Sequence, residues 1–422
     1  MKVCWILLSV SAFAFGQTWI EQYASESATM DKTCSAKDYP ACRNHLLKLL
    51  ELLDGRADIV YRLAEVETSL GNHRAALERL STFSKSGLTF ADPAADPDFT
   101  ALKDNDEFKA IAAKVKMARE PVSGNKLVLT LPEKDLVAED IGYDPVSERF
   151  FISSVRHRKI LALSRDGKAS DFIKEGQPDT WAILALRVDP KRRILWATTA
   201  AMPEALGYTA AEDGKTAVLK YSLEDGKLLQ RFDVDTAGNH ALGDMTVSTT
   251  GDVYVSDGYG AVYVVRDNKL EVLIDKGVFR SPQTPALSPD ERRLFVPDYS
   301  RGISVIDLAT KQVKLLEHPK ELSLGGIDGL YLKDRTMIVV QNGTVPPRLI
   351  SMSLDVSLTR VVDWKIIESN WDGLGQPTHG VLVGNTFYFI ADSGWDRMAN
   401  DGTVKPGATF GSPTIRSRPF IP

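Results

Sequence analysis

Cysteine and histidine are scarce in this chain, three of one and six of the other in 422 residues. Neither recurs at the short spacings that structural zinc sites use, so that class is set aside. Basic blocks are missing as well. Lysine and arginine number 51 against 56 acidic residues, a formal net charge of −5. Nucleic acid and anionic membrane both call for a concentrated basic surface, so neither is expected as a partner. Beyond the first residues no apolar run reaches spanning length, so no membrane span is expected. There is no Gly-x-Ser-x-Gly elbow. The segment GGIDGL, residues 325–330, lacks the Lys-Ser/Thr that would make it a phosphate loop.

The apolar run that does exist stands at the start. Met1-Lys2 is followed by Val3 to Phe15 and then Gly16-Gln17. One charge, a short apolar stretch and small residues spell a secretory signal over 1–16, and hence a secreted or periplasmic protein. Cys4 would leave with the signal. Cys34 and Cys42 remain, either as one short-loop disulfide in an oxidising compartment or as two thiols.

A chain this long exceeds one ordinary core, so separate parts are expected: a helical module over 17–120 and a second domain over 121–422. Helical periodicity runs from residue 36 to about 118. In DIVYRLAEVETSLGNHRAALERL, residues Leu63, Ala64, Leu70, Gly71, Ala75, Ala76 and Leu77 fall where a tetratricopeptide repeat puts its packing residues. Such a module is a spacer or docks a protein partner.

After Pro121 the punctuation becomes that of short strands and hairpins. A strand–turn–strand unit recurs six times, as in EDIGYDPVSERFFISS from Glu139 and QTPALSPDERRLFVPD from Gln283. Its anchors, Tyr143, Val188, Val247, Leu287, Leu332 and Leu382, are 45, 59, 40, 45 and 50 residues apart. A propeller blade takes about 40–50 residues, so the expected fold is mainly β, a six-bladed β-propeller behind an α-helical, TPR-like module. Closing the ring leaves no open sheet edge, and NKLVLTL, Asn125 to Leu131, is the expected N-terminal contribution to the last blade.

In a propeller the residue leading into each inner strand faces the channel. Four places before each anchor stand Glu139, Leu184, Gly243, Gln283, Asp328 and Thr378, with Asp244 and His379 one place further on. Converging oxygen ligands suit a hard cation such as calcium; a polar, water-filled channel is the alternative. Trp181, Trp371 and Trp395 either stack on a ligand or cover the core. His157 and His240 read as loop residues.

These residues carry a resemblance. Positions 139 to about 395 resemble the senescence-marker-protein/gluconolactonase group, the regucalcin-like six-bladed propellers. The resemblance lies in Glu139 before a strand ending in Asp-Pro, in PQTPALSPDERRLFVPDY and in IDGLYLKD. It implies a divalent metal, calcium by preference, held by Glu139, Gln283 and Asp328, with Gln283 replacing the family's Asn. The family's substrate-contacting Asn-Asp pair is Gly243-Asp244 here. The implied activity is metal-assisted hydrolysis of a small lactone or sugar-like ester, with Asp328 or Asp244 as general base and His379 assisting or replacing it. The rival is a non-catalytic propeller that binds a ligand or protein through the same mouth.

Overall fold

The computed structural model describes residues 17–164, 167–178, 180–235 and 237–420. The expected signal, 1–16 with Cys4, lies outside them.

Five helices come first: α1 (Trp19–Ser35), α2 (Tyr39–Leu52), α3 (Ala57–Ser69), α4 (His73–Lys85) and α5 (Asp106–Met117), with a 3-10 turn at Pro97–Leu102. The helical region thus starts 17 residues earlier than residue 36, at Trp19. Of α1 only Met30 is fully buried, with Trp19, Tyr23 and Cys34 half-buried beside it at helical spacing, and this stripe does not mark where the helix starts. The helix is started instead by a capping box, in which the Glu21 N–H donates to Thr18 Oγ1 and the Thr18 N–H to Glu21 Oε2. Cys34, at the end of α1, forms a disulfide with buried Cys42 of α2. Ala64, Ala76 and Leu77 are buried between helices, while Leu70 and Ala75 are half-buried. Tyr61 meets Phe83 and Phe99 edge-on at 4.9 and 5.5 Å, the favoured aromatic geometry.

The rest is six four-stranded antiparallel sheets. Their inner strands are Ala138–Asp144, Ala182–Asp189, Leu242–Val247, Ala286–Leu287, Ile327–Lys333 and Gly380–Val383, which carry all six anchors. These sheets are blades 1 to 6 in that order. Blade 6 is closed by Lys126–Thr130 pairing with Thr414–Pro419, as expected from NKLVLTL. The first hairpin of each blade holds one residue in the left-handed region: Glu148, Arg193, Gly251, Glu291, Asp334 and Gly384. That shared turn is what the polar punctuation encodes. Apolar faces of neighbouring blades interlock, as where Phe151 and Ile160 of blade 1 join Ile183, Leu186 and Leu219 of blade 2.

The helices touch the propeller at several points. Ala57 N–H donates to Ser323 Oγ at 3.2 Å, and Thr89 N–H to the Val345 carbonyl at 2.8 Å. Buried Arg348 donates to the Ser86 carbonyl and to Gln341 Oε1.

Candidate active site at the channel mouth

The channel residues owe their direction to a repeated irregularity. The inner strands of blades 1, 2, 3 and 5 each break register at their start, between Ala138 and Ile141, Ile183 and Leu186, Leu242 and Met245, and Ile327 and Gly329. A bulge re-aims side chains. Here it takes in Glu139-Asp140, Leu184-Ala185, Gly243-Asp244 and Asp328.

A second repeat fixes the backbone there. Ser153 Oγ of blade 1 donates to the Leu184 carbonyl, Thr198 Oγ1 of blade 2 to that of Gly243, and Ser256 Oγ of blade 3 to that of Gln283. Thr284 N–H of blade 4 does the same for Asp328, and Thr378 Oγ1 of blade 6 for Glu139. Five of the six mouth positions are therefore tied to the blade before them. The hydroxyls of Ser153, Thr198 and Ser256 were not legible beforehand, because an isolated Ser or Thr in a strand makes no pattern.

Glu139, Asp328 and His379 come together so that one ligand atom from each lies within 4.8 Å of the others. They arrive from blades 1, 5 and 6. His379 Nδ1 lies 3.0 Å from the Glu139 carbonyl. Its Nε2 is 2.6 Å from Asp244 Oδ1, but out of line for a hydrogen bond. Burial alone would push the imidazole down. The carboxylates of Asp244 and Asp328 outweigh it and hold His379 well above its ordinary value, as an imidazolium. Burial pushes Glu139 up to about 8, with repulsion from Asp328 and Asp244 adding to it and His379 opposing. Burial likewise pushes Asp328 up to about 6, with Asp244 adding and His379 opposing. Three carboxylates thus share one cationic side chain. A divalent cation fits such a cluster, because it would hold both raised carboxylates in their charged form.

Above the cluster lies a cavity of about 690 Å³, whose walls include Glu139, Asp328, Asn342, Gln376, Trp395 and Glu204. Two wall atoms, Gln376 Oε1 and Glu204 Oε2, are buried with no hydrogen-bond partner among the described residues. Buried polar atoms are seldom left unpaired, so these acceptors fit a cation or a donor-bearing ligand.

No described family matches this sequence, and no curated protein does. Among solved structures, the chain is similar to a luciferin-regenerating enzyme (TM-score 0.48, 12% identity, covering 69% of this chain and 95% of that one). It is similar to a gluconolactonase from Xanthomonas campestris (TM-score 0.47, 13% identity, 71% and 97%). It is also similar to virginiamycin B lyase from Staphylococcus aureus (TM-score 0.45, 13% identity, 70% and 99%). Identities this low say nothing of chemistry.

The expected site residues divide. Glu139 and Asp328 sit together at the cavity floor. Asp244 and His379 lie in the same cluster but are only 6% and 1% exposed, beneath the cavity. Gln283, expected as the third ligand, spends its amide nitrogen on the Ser281 carbonyl and hydroxyl at 3.2 and 3.0 Å. The amide beside Asp328 is that of Asn342, whose Nδ2 donates to Asp328 Oδ2 at 2.6 Å and whose Oδ1 accepts from Tyr299. Asn342, Gln376 and Glu204 lie outside the repeated strand–turn–strand unit, so its spacing gave no sign of them. Trp395 belongs to the site, since its Nε1 donates to Glu139 Oε2. Trp181 is buried and donates to Glu212, and Trp371 lies under Arg416, so both are structural. His240 lies in a loop, as expected, and is buried there against Asp257 at 2.6 Å.

No described helix is long and apolar enough to cross a membrane.

Proposed function

We propose that this protein is a lactonase-like hydrolase, acting with a divalent cation on a small lactone or ester at the propeller mouth. The observation that carries the reading is the meeting of Glu139 and Asp328, two carboxylates raised by burial, at the floor of an open cavity. Glu139 and Asp328 would hold the cation, with Gln376 offering an amide oxygen in place of Gln283. An oxygen-rich set of this kind suits calcium. When bound, such an ion polarises a carbonyl and stabilises the charge that develops on its oxygen.

The chain's own residues supply the proton chemistry. Near neutral pH Asp328, raised to about 6, has released its proton while Glu139, raised to about 8, still holds one, so Asp328 is the general base toward water. Asn342 orients it through Oδ2. His379 is cationic, with Nδ1 on the Glu139 carbonyl and Nε2 beside the Asp244 carboxylate, which argues against a base and for a donor held in place by Asp244. Trp395 steadies Glu139 and covers one side of the cavity.

We further propose that residues 17–120 and 121–422 are the two structural units, the first TPR-like, and that the protein works outside the cytoplasm. The disulfide supports the last point, since such bonds persist in oxidising compartments.

Calorimetric titration with calcium, manganese and zinc, followed by a lactone panel, tests the reading. Wild type is expected to bind one of these ions and to open a lactone, and Asp328→Asn to lose both. Absence of binding at millimolar ion would remove the chemistry and leave a ligand-binding propeller.

A further inference from the structure

A second cavity adjoins the first. It measures about 550 Å³ and lies where the helices meet the propeller. Arg56, Ala57 and Phe90 line it from the helical side, and Arg280, Ser300 and Gly325 from the propeller. Tyr299, Thr344 and Val345 line both cavities, so a single ridge separates them. The Tyr299 hydroxyl is only two hydrogen bonds from Asp328, by way of Asn342.

The two cavities are opposite in charge. The mouth cavity has four carboxylates, Glu139, Glu204, Asp328 and Asp396, against Lys405 alone. In the groove the charged walls are Arg56, Asp58 and Arg280. Arg56 is neutralised by Asp58, to which it donates through Nε at 2.9 Å and through a terminal nitrogen at 2.5 Å. Arg280 has no carboxylate partner among the described residues. Its guanidinium stacks on Tyr23 at 5.0 Å and reaches Ser300 Oγ at 3.4 Å. Stacking on the ring face leaves the in-plane N–H groups available, and these match a carboxylate. Phe90, 40% exposed, gives the groove an apolar surface as well.

We propose that the ligand of the mouth site is elongated and carries a carboxylate, which Arg280 holds in the groove while the reacting end lies over Asp328. The helical segment is then one wall of the binding cleft rather than a spacer. This rests on the hydrolase reading for the reacting end alone. The groove is argued from its own walls.

The test uses the full mature chain and a matched pair of γ-lactones, one with a carboxylate at the end of its side chain and one with the primary amide there. Wild type is expected to prefer the carboxylate at least about tenfold in kcat/KM, the size of a charge-assisted contact. Arg280→Gln should remove that preference by raising KM with kcat unchanged, and Arg280→Lys should restore part of it. An Arg280→Gln effect equal on both lactones, or on neither, overturns the proposal. If wild type opens no lactone, the hydrolase reading fails by itself, and calorimetry with hexanoate and hexanamide still judges the groove. Hexanoate binding that Arg280→Gln weakens about tenfold supports it. Equal binding of the two probes, or none of either, overturns it.

Discussion

The inner strand of blade 1 ends in two acids with opposite fates. At one end stands Glu139, pushed up to about 8 by burial, with no arginine against it among the described residues. At the other stands Asp144, brought down to about 2 although burial opposes this. Arg193 of the next blade grips both Asp144 oxygens at 2.8 and 3.1 Å, and Val146 and Ser147 donate from the turn. Burial raises both groups, and only Asp144 has partners that overcome it. The turn end satisfies its charge within the protein. The mouth end gathers three carboxylates about one imidazolium and leaves them short of positive charge. A fold that pairs Asp144 and Asp189 with arginines, and even Asp140 beside Glu139 with Arg187, is able to pair acids, yet Glu139 and Asp328 have no arginine among the described residues. That contrast, more than any single pKa, marks the mouth as the place prepared for something from outside.

The largest expected effects would break this contrast at its two ends. Asp328→Asn should lower hydrolysis by about 1,000-fold, the usual worth of a general base, while thermal unfolding stays at or above the wild-type temperature. A large loss of stability would mean that Asp328 is structural after all. Asp144→Ala should do the reverse. It strands Arg193 and two turn N–H groups, and should cost about 3 kcal/mol in denaturant unfolding with kcat/KM nearly unchanged. Arg193 is partly exposed, which keeps the figure at the low end for a broken ion pair.

The repeat that places both acids was readable because it is local. Alternating apolar residues and a turn that tolerates a left-handed residue recur in each blade, so anchors such as Tyr143 and Leu332 could be aligned without contacts. The same alignment reached Glu139, Asp328, Asp244 and His379. It is silent where a side chain's direction depends on its surroundings. Gln283 stands at its mouth position, its carbonyl held by Ser256, yet its amide nitrogen turns to Ser281. It is silent also on Asn342, Gln376 and Glu204, which no repeat marks. Helix α1 escaped because capping, and not burial, starts it.

A smaller effect sharpens the electrostatic side. In cation-free protein the folded state keeps a proton on Glu139 that the unfolded chain, with its ordinary value of 4.5, has already released. Between that value and about 8 the folded form binds more protons, so stability falls as pH rises through this window. The slope from one group is at most about 1.4 kcal/mol per pH unit. Asp144 acts in the opposite sense: its contribution is full above its ordinary value of 3.8 and is lost as pH falls through about 2. Thermal melts from pH 5 to 8 with chelator should show the decline, and a saturating divalent cation should flatten it. A decline unchanged by Glu139→Gln would assign it to other groups.

The smallest effect asks what holds the mouth cluster together before any ligand arrives. Thr284 is 1% exposed, and its hydroxyl donates to Asp244 Oδ1 at 3.1 Å, the same oxygen that faces His379 Nε2. Valine has nearly the shape of threonine without the donor. Thr284→Val therefore removes one hydrogen bond and leaves His379 as the partner of Asp244. The expected cost is about 1 kcal/mol in unfolding, that of one ordinary bond with its acceptor still paired. Cation affinity should stay within about threefold, because Thr284 touches neither Glu139 nor Asp328 by a side-chain bond. A much larger loss of cation binding would show that the hydroxyl, and not the imidazolium, keeps Asp244 in place, and that the cluster's compensation is built from neutral donors as well as from charge.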